Sequence, residues 1–486
     1  MSRVDVVLIK PASTKRIYGE LSGFNLTAIE PSLWAAILAG YFRKHGYSVE
    51  LYDEEIQNCS HEETAQYVKE VNPHLAVVLV SGTNPSASTM NMTGASEIIT
   101  AVKQFGPEIK TMLAGLHPSA LPEQTVKEGV ADFVCQGEGF YTIPKLIDVL
   151  KNDGDNYEID GLWYLEDGHV VSNPRPEMIQ NLDEIPQPAW DMLPMEKYRA
   201  HNWHCFDDIN RRSPYAVIYT SLGCPFNCSF CCINALFGKH TIRYRSTDSV
   251  VEEIDFLVNN YGIRNIKIMD EMFAMNERRV VELCDKIIER KYDLNMWAYA
   301  RVNTVTEPML AKMKEAGINW LAYGFESGSK KVIEDVTKGY KTDQVMDVVK
   351  MSYDLGFYIC ANYIFGLPED DYDSMNETLE LMFDINAEYA NIYSAMAYPG
   401  SQLYDMAIEN KWKLPDTWHG YSQFGYESQP LPTKYLSGSQ VLAFRDYAFD
   451  AYHKSPRYLD MMGRKFGDET VAHIKEMTKH KLKRKY

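Results

Sequence analysis

Nowhere in its 486 residues does the chain hold an uninterrupted apolar run of about 18, the length a membrane-spanning helix needs. Its first residues, MSRVDVVLIKP, enter a strand-like run without a signal-peptide cleavage pattern. Basic residues are in deficit, 49 Lys and Arg against 67 Asp and Glu, for a net charge of −18. That balance excludes a general nucleic-acid binder, since duplex affinity rests on neutralising phosphates. The one basic run, residues 479–486, reads as a solvated helix end or tail. Cysteine is sparse and mostly solitary. Cys59, Cys135, Cys205, Cys284 and Cys360 stand singly among nine, which excludes a dense disulfide framework and implies reduced thiols in a cytoplasmic protein. Low-complexity tracts and internal repeats are also missing. What remains is an ordinary globular composition, 45% apolar and 24% charged, on a chain long enough for two or three domains.

Hydrophobic patterning divides the chain. Residues 1–155 alternate strand-like runs (4–11, 48–55, 75–82, 109–117 and 131–139) with helix-like stretches (30–47, 61–72, 88–106 and 121–129). Near-continuously apolar strands separated by helices predict a parallel sheet covered on both faces, a Rossmann-like domain. Its ligand belongs beyond the carboxyl ends of the strands, where Ser81 and Thr83, Gly115 and His117, and Gly137, Glu138 and Gly139 fall. Residues 156–213 are rich in proline and read as a connector with a hairpin tipped by Asp167-Gly168. From 214 to 414 the alternation resumes in six units, too few to close an eight-strand barrel, so an open (β/α)6 barrel is expected, with chemistry at its strand ends. Residues 415–486 are aromatic-rich and partly helical, a candidate cap. The fold class is therefore α/β, a Rossmann-like domain followed by a partial barrel and a small, mostly helical C-terminal region.

The most telling feature lies after the first barrel strand. Residues 219–232, YTSLGCPFNCSFCC, place Cys224, Cys228 and Cys231 in a C-x3-C-x2-C triplet. Closely spaced cysteines also serve as zinc ligands or core residues, but no second Cys/His pair supplies the other knuckle of a structural zinc site. A four-iron cluster held by three thiolates keeps one iron open to another ligand. Cys232 directly follows Cys231, and neighbouring residues do not easily face one cluster, so it is expected to be a wall residue.

The triplet, with aromatic Phe230 before its third cysteine, resembles the signature of the radical S-adenosylmethionine (SAM) superfamily. Segments 269–276 (MDEMFAMN), 300–303 (ARVN), 324–329 (GFESGS), 365–369 (FGLPE) and 398–404 (YPGSQLY) look like strand-end motifs of the branch with an N-terminal cobalamin-binding domain. That branch holds class B radical SAM methyltransferases and relatives of the anaerobic magnesium-protoporphyrin monomethyl ester cyclase. Segments 114–123 (AGLHPSALPE) and 132–139 (DFVCQGEG) resemble its cobalamin domain. The resemblance implies a [4Fe–4S] cluster, SAM and cobalamin as cofactors. SAM would need a carboxylate for its ammonium, a guanidinium for its carboxylate, and polar and aromatic groups for ribose and adenine. Asp270, Glu271, Arg301, Asn303, Glu326, Ser327 and Phe230 are the candidates, and Ser81, Thr83, Gly115, His117, Gly137, Glu138 and Gly139 are those for cobalamin. No D-x-H-x-x-G string is present, so no histidine of the first strand loop is expected to ligate cobalt. His117 is expected to hydrogen-bond the corrin or its tail.

The function so implied is a methyltransferase. A 5′-deoxyadenosyl radical abstracts hydrogen, and methylcobalamin methylates an unactivated carbon, or phosphorus, of a small metabolite, fed by an electron donor such as flavodoxin or ferredoxin. Rivals are a non-methylating radical cyclase or rearrangement enzyme, and an iron–sulfur or cobalamin sensor or electron carrier without turnover. Replacing Cys224, Cys228 and Cys231 together by Ala separates the last. Iron content and turnover should both vanish while bound corrinoid persists, whereas a sensor would keep its function.

Overall fold

The computed structural model describes residues 3–12, 14–24, 26–82, 87–340 and 342–486. Two sheets organise it. In the first, strands β1 (Val6–Lys10), β2 (Val49–Asp53), β3 (Leu75–Val80), β4 (Lys110–Gly115) and β5 (Phe133–Cys135) run parallel in the order β2-β1-β3-β4-β5. Val7, Ile9, Val78 and Leu113 face one covering layer, which includes helices His61–Val71 and Met92–Phe105. Val6, Leu8, Val77 and Met112 face the other, with helices Leu33–Lys44 and Thr142–Lys151. Burial on both faces is why these strands read as continuous apolar runs. The strand order reverses between β1 and β3, the switch point where such sheets open a crevice at their carboxyl ends.

The hairpin expected within the connector belongs instead to this sheet. Its strand β6 (Leu162–Glu166) pairs antiparallel with β5, Phe133 facing Tyr164, and β7 (His169–Ser172) pairs antiparallel with β6, extending the sheet to seven strands. The reason is the exposed backbone of a short edge strand, which pairing satisfies.

After two short strands, β8 (Tyr215–Ile218) and β9 (Ser221–Leu222), and β10 (Arg243–Tyr244) paired antiparallel to β9, come β11 (Asn265–Ile268), β12 (Asn295–Ala300), β13 (Ile318–Glu326), β14 (Tyr358–Phe365) and β15 (Tyr389–Ser394). Strands β8 and β11 to β15 form the expected six-stranded, all-parallel open sheet, each paired to the next in sequence. The free β15 edge is covered by the C-terminal region. Arg445, on helix Gly438–His453, donates from Nε to the Ile392 carbonyl (2.7 Å), and Tyr458 OH donates to the Glu388 carbonyl (2.9 Å). Among the described residues no helix is long and apolar enough to cross a membrane.

Buried polar contacts lock the two sheets together. Glu138, after β5, pairs through Oε1 with Arg243 Nη2 on β10 at 2.6 Å, with both side chains almost wholly buried. Glu138 Oε2 also accepts from the Ile179 amide (3.2 Å). Lys267, inside the barrel, pairs with Glu30 at 2.9 Å, and Tyr198 OH from the connector donates to Asp53 (2.9 Å). Removing one member of a buried pair strands the other charge. Glu138→Ala should therefore lower the unfolding free energy by about 3–5 kcal/mol in urea titration, with Glu138→Leu/Arg243→Met recovering much of that loss.

Candidate functional site

Strand β8 ends in a turn that delivers the cysteine loop to the mouth of the barrel. Gly223, at φ +91°, carries the chain past the Thr241 carbonyl, which a Cβ would meet at 2.4 Å, so only glycine fits there. Asp270, at the end of β11, is fully buried and accepts from the Thr220 amide (2.6 Å), Thr220 Oγ1 (2.5 Å) and Ser221 Oγ (2.6 Å). It braces the start of the loop and lines neither cavity described below. Glu271 beside it accepts from the Gly223 amide (2.9 Å), and burial pushes its carboxyl up to about 8.

Cys224, Cys228 and Cys231 line one cavity of about 300 Å³ with Phe230, Glu271, Arg301, Glu326 and Lys338. Cys232 turns away into the core and is 2% exposed. Burial pushes the Cys231 thiol up to about 12 and also raises that of Cys224, so thiolates here require positive charge close by. Arg301 supplies one such charge, its Nη1 lying 3.3 Å from Cys228 Sγ and its guanidinium 3.7 Å above the Phe226 ring. Among the described residues no three His, Cys, Asp or Glu groups converge as the ligands of one metal ion do. Three cysteines that share a cavity without closing on one point suit a cluster, in which each thiolate takes its own iron.

The remaining strand-end candidates divide. Glu326 ion-pairs with Lys338, which stands 5.5 Å over the Phe230 ring, and all three face the cavity. Ser327 is fully buried and does not line the cavity; it shares a hydrogen bond with Thr378 Oγ1 (3.0 Å) and accepts from the Ser329 amide (3.1 Å). Asn303 donates to the Gly339 carbonyl (3.0 Å) at the surface.

A second cavity, of about 110 Å³, lies between the carboxyl ends of β1, β3 and β4 and the barrel. Ser81, Gly82 and Gly115 line it; Gly115 sits at φ +119°, where a Cβ would strike the Val80 carbonyl at 2.4 Å. Three further polar side chains in its wall, Ser32, Ser88 and Asn91, are almost fully buried, yet Ser32 Oγ, Ser88 Oγ and Asn91 Oδ1 have no hydrogen-bond partner. Orphaned buried polar atoms cost free energy until a ligand satisfies them. A corrin with its amide side chains is a ligand of that kind, so the wall fits it. These three escaped the sequence reading; their one signal was a position just before a helical turn at the carboxyl edge of a parallel sheet. Lys338, Asn362, Tyr299, Tyr393 and Gln423, in the wall of the cysteine-lined cavity, also went unnoticed. The two cavities share Ile17, Tyr18, Gly82, Ile233 and Glu271.

The other cobalamin candidates stand elsewhere. Gly137 and Gly139 pack toward Pro176 and Ile143, and the Glu138 carboxylate is committed to Arg243. His117 is buried between Thr89, at 3.1 Å from its Nδ1, and the Trp418 ring, and lines neither cavity. Thr83 lies outside the described residues.

Comparison with known proteins agrees with this architecture. The model for the radical SAM superfamily matches residues 218–382, and that for the B12 binding domain matches residues 23–147. The chain belongs to the cobalamin-dependent radical SAM enzymes, which use a [4Fe–4S] cluster, SAM and cobalamin. It is 29% identical to an uncharacterized methyltransferase of Pyrococcus horikoshii over 94% of both chains. It is 26% identical to the anaerobic magnesium-protoporphyrin IX monomethyl ester cyclase of Rubrivivax gelatinosus over 77% of this chain and 66% of that one. Its fold superposes on the radical SAM methyltransferase TsrM of Kitasatospora setae, solved with tryptophan and a SAM analogue, at a TM-score of 0.68 and 16% identity, covering 98% of this chain and 99% of that one.

His117 carries a pH dependence of its own. Burial pushes it from the ordinary 6.5 down to about 3. The unfolded chain therefore takes up a proton before the folded one, and stability present above pH 6.5 is lost as the pH falls toward 3. His117→Asn should reduce the acid slope of the unfolding free energy, read from urea titrations between pH 6.5 and 4, by about 1.4 kcal/mol per pH unit at most, leaving the contributions of other buried histidines in place.

Proposed function

We propose that this enzyme methylates an unactivated carbon, or a phosphorus, of a small metabolite. The observation that carries this reading is the common wall of the two cavities, which puts a crevice lined by orphaned polar atoms and a cysteine-lined chamber on either side of Glu271 and Ile233. When bound, the cluster with SAM supplies radical hydrogen abstraction and cobalamin supplies the methyl group. The chain's own residues do the rest. Cys224, Cys228 and Cys231 would hold the cluster, and Ser32, Ser88 and Asn91 the corrin amides. Phe230 gives an aromatic face for adenine, and the Glu326–Lys338 pair presents polar atoms to the ribose and amino acid ends of SAM. Tyr18, Phe424 and Gln423 form one side of the chamber; Gln423 is fixed by a reciprocal pair of bonds with the Ser394 backbone (2.8 and 2.9 Å). Tyr299, Tyr393 and Asn362 offer the substrate hydrogen-bonding groups. A one-electron donor such as flavodoxin or ferredoxin would feed the cluster.

The cyclase relative supports a second reading, radical chemistry without methyl transfer. Anaerobically reconstituted protein given SAM labelled in its methyl group decides between them. Label should appear in the corrinoid fraction and then in product. Release of 5′-deoxyadenosine with no label outside SAM would refute the methyltransferase reading.

A further inference from the structure

A third cavity, of about 330 Å³, lies behind the reaction chamber and is used by nothing described so far. The two meet at one pair of rings. Tyr18 and Phe424 line both, stacked with centroids 5.3 Å apart and planes at 21°. Ser422 Oγ, donating to the Ile17 carbonyl at 2.5 Å, ties the segment bearing Tyr18 to the loop bearing Phe424. The inner face of β15 runs past this partition. Side chains alternate along a strand, so Tyr389, Asn391 and Tyr393 share a face. Tyr393 lines the reaction chamber, Asn391 donates to Asn362 Oδ1 (2.9 Å) and Tyr389 lines the rear cavity.

The rear cavity is built for a neutral guest. Its walls include Leu21, Leu26, Phe449 and Met477, and its charges are matched, Arg445 with the Ile392 carbonyl and Asp446, Asp446 with Arg484 (2.9 Å), and the half-exposed Asp450 with Lys454 (2.8 Å), while Lys481 stands at the exposed rim. Two polar side chains here have an atom to spare. Asn202 is 0% exposed and its Nδ2 meets His473 Nε2 at 3.0 Å, but Oδ1 has no hydrogen-bond partner. Beside it, His201 Nδ1 is likewise without one; burial pushes that ring down to about 3 against the opposing effect of the neighbouring Asn202 side chain, so it stays neutral.

We propose that this cavity is the distal part of the substrate site. It would receive the apolar body of an elongated, uncharged substrate, whose far end carries a hydroxyl or amide N–H that Asn202 Oδ1 accepts, while the reacting atom stays in front of the Tyr18–Phe424 pair. This assignment rests on the reaction chamber being where substrate is transformed, as proposed above. It would make substrate length and one terminal donor the specificity determinants, since a buried acceptor left empty discriminates against analogues that lack the donor.

Equilibrium dialysis of the reconstituted holoprotein against 2-naphthol and against 2-methoxynaphthalene tests it. The naphthol should bind about fivefold to tenfold more tightly than its ether, the difference one net hydrogen bond makes. Asn202→Leu should level the two, and Leu21→Trp, which fills the cavity from its partly exposed rim, should abolish binding of both while cobalamin and SAM still bind at full stoichiometry. Equal affinity of the two probes for the unaltered protein, or undiminished naphthol binding by Leu21→Trp, would overturn the proposal. Should Asn202→Leu not fold, Leu21→Trp decides alone. Label transfer from SAM to the corrinoid fraction needs no substrate, so its failure is distinguishable from failure of the probes to bind.

Discussion

The ion pair between Glu138 and Arg243 is the contact on which the rest of the arrangement depends. Glu138 stands where the fifth strand of the first sheet ends, and Arg243 on the strand paired with Ser221–Leu222, immediately before the cysteine loop. One buried contact therefore ties the carboxyl edge of the cobalamin domain to the base of the cluster loop. A buried ion pair is an uncertain source of net stability, because desolvation of both charges opposes their attraction. What it provides here is register. Arg243 also donates to the Ile179 carbonyl, so the pair fixes the start of the connector as well. Lys267–Glu30 inside the barrel adds a second buried ion pair between the two halves, and Tyr198–Asp53 ties the connector to the first sheet.

Once that relation is fixed, the division of labour among polar side chains follows from which of them the fold has already used. Asp270 and Ser327 each stand at a barrel strand end, beside residues that face the chamber, yet backbone and hydroxyl partners claim them. Ser32, Ser88 and Asn91 are the opposite case, buried at a crevice with a hydrogen-bonding atom to spare. The charged groups facing the reaction chamber are balanced internally, Glu326 against Lys338 and Arg301 against the cluster loop. Such pairing leaves neither Glu326 nor Lys338 as an uncompensated charge in the chamber wall.

Much of this was legible in the sequence. The β/α alternation shows in the apolar runs because both faces of each parallel strand are covered, and the cysteine spacing marks a cluster loop because no other pair of ligands accompanies it. Glu271, Arg301 and Glu326 line one chamber with Phe230 of the cysteine loop because strand ends converge in a barrel. The hairpin Leu162–Ser172 was recognised as a hairpin but not as the edge of the first sheet, since pairing partners depend on which edge is left open in three dimensions. The Gly137-Glu138-Gly139 motif, expected at the cobalamin site, lines neither cavity for a related reason. Glycines around a carboxylate at a strand end suit a ligand turn and an ion-pair turn equally, and only the position of Arg243, 105 residues away in sequence, separates them. His117 shows the same limit, its surroundings being set by Trp418 from the far end of the chain.

The central claim is that cluster and corrin occupy adjoining chambers with Glu271 and Ile233 in the wall between them. Electron paramagnetic resonance of protein loaded with both a reduced [4Fe–4S] cluster and cob(II)alamin tests it most directly, because each centre carries an unpaired spin. Adjoining chambers predict a spectrum broadened or split by spin–spin coupling relative to the singly loaded forms. A spectrum that is the plain sum of the two singly loaded ones would contradict the account.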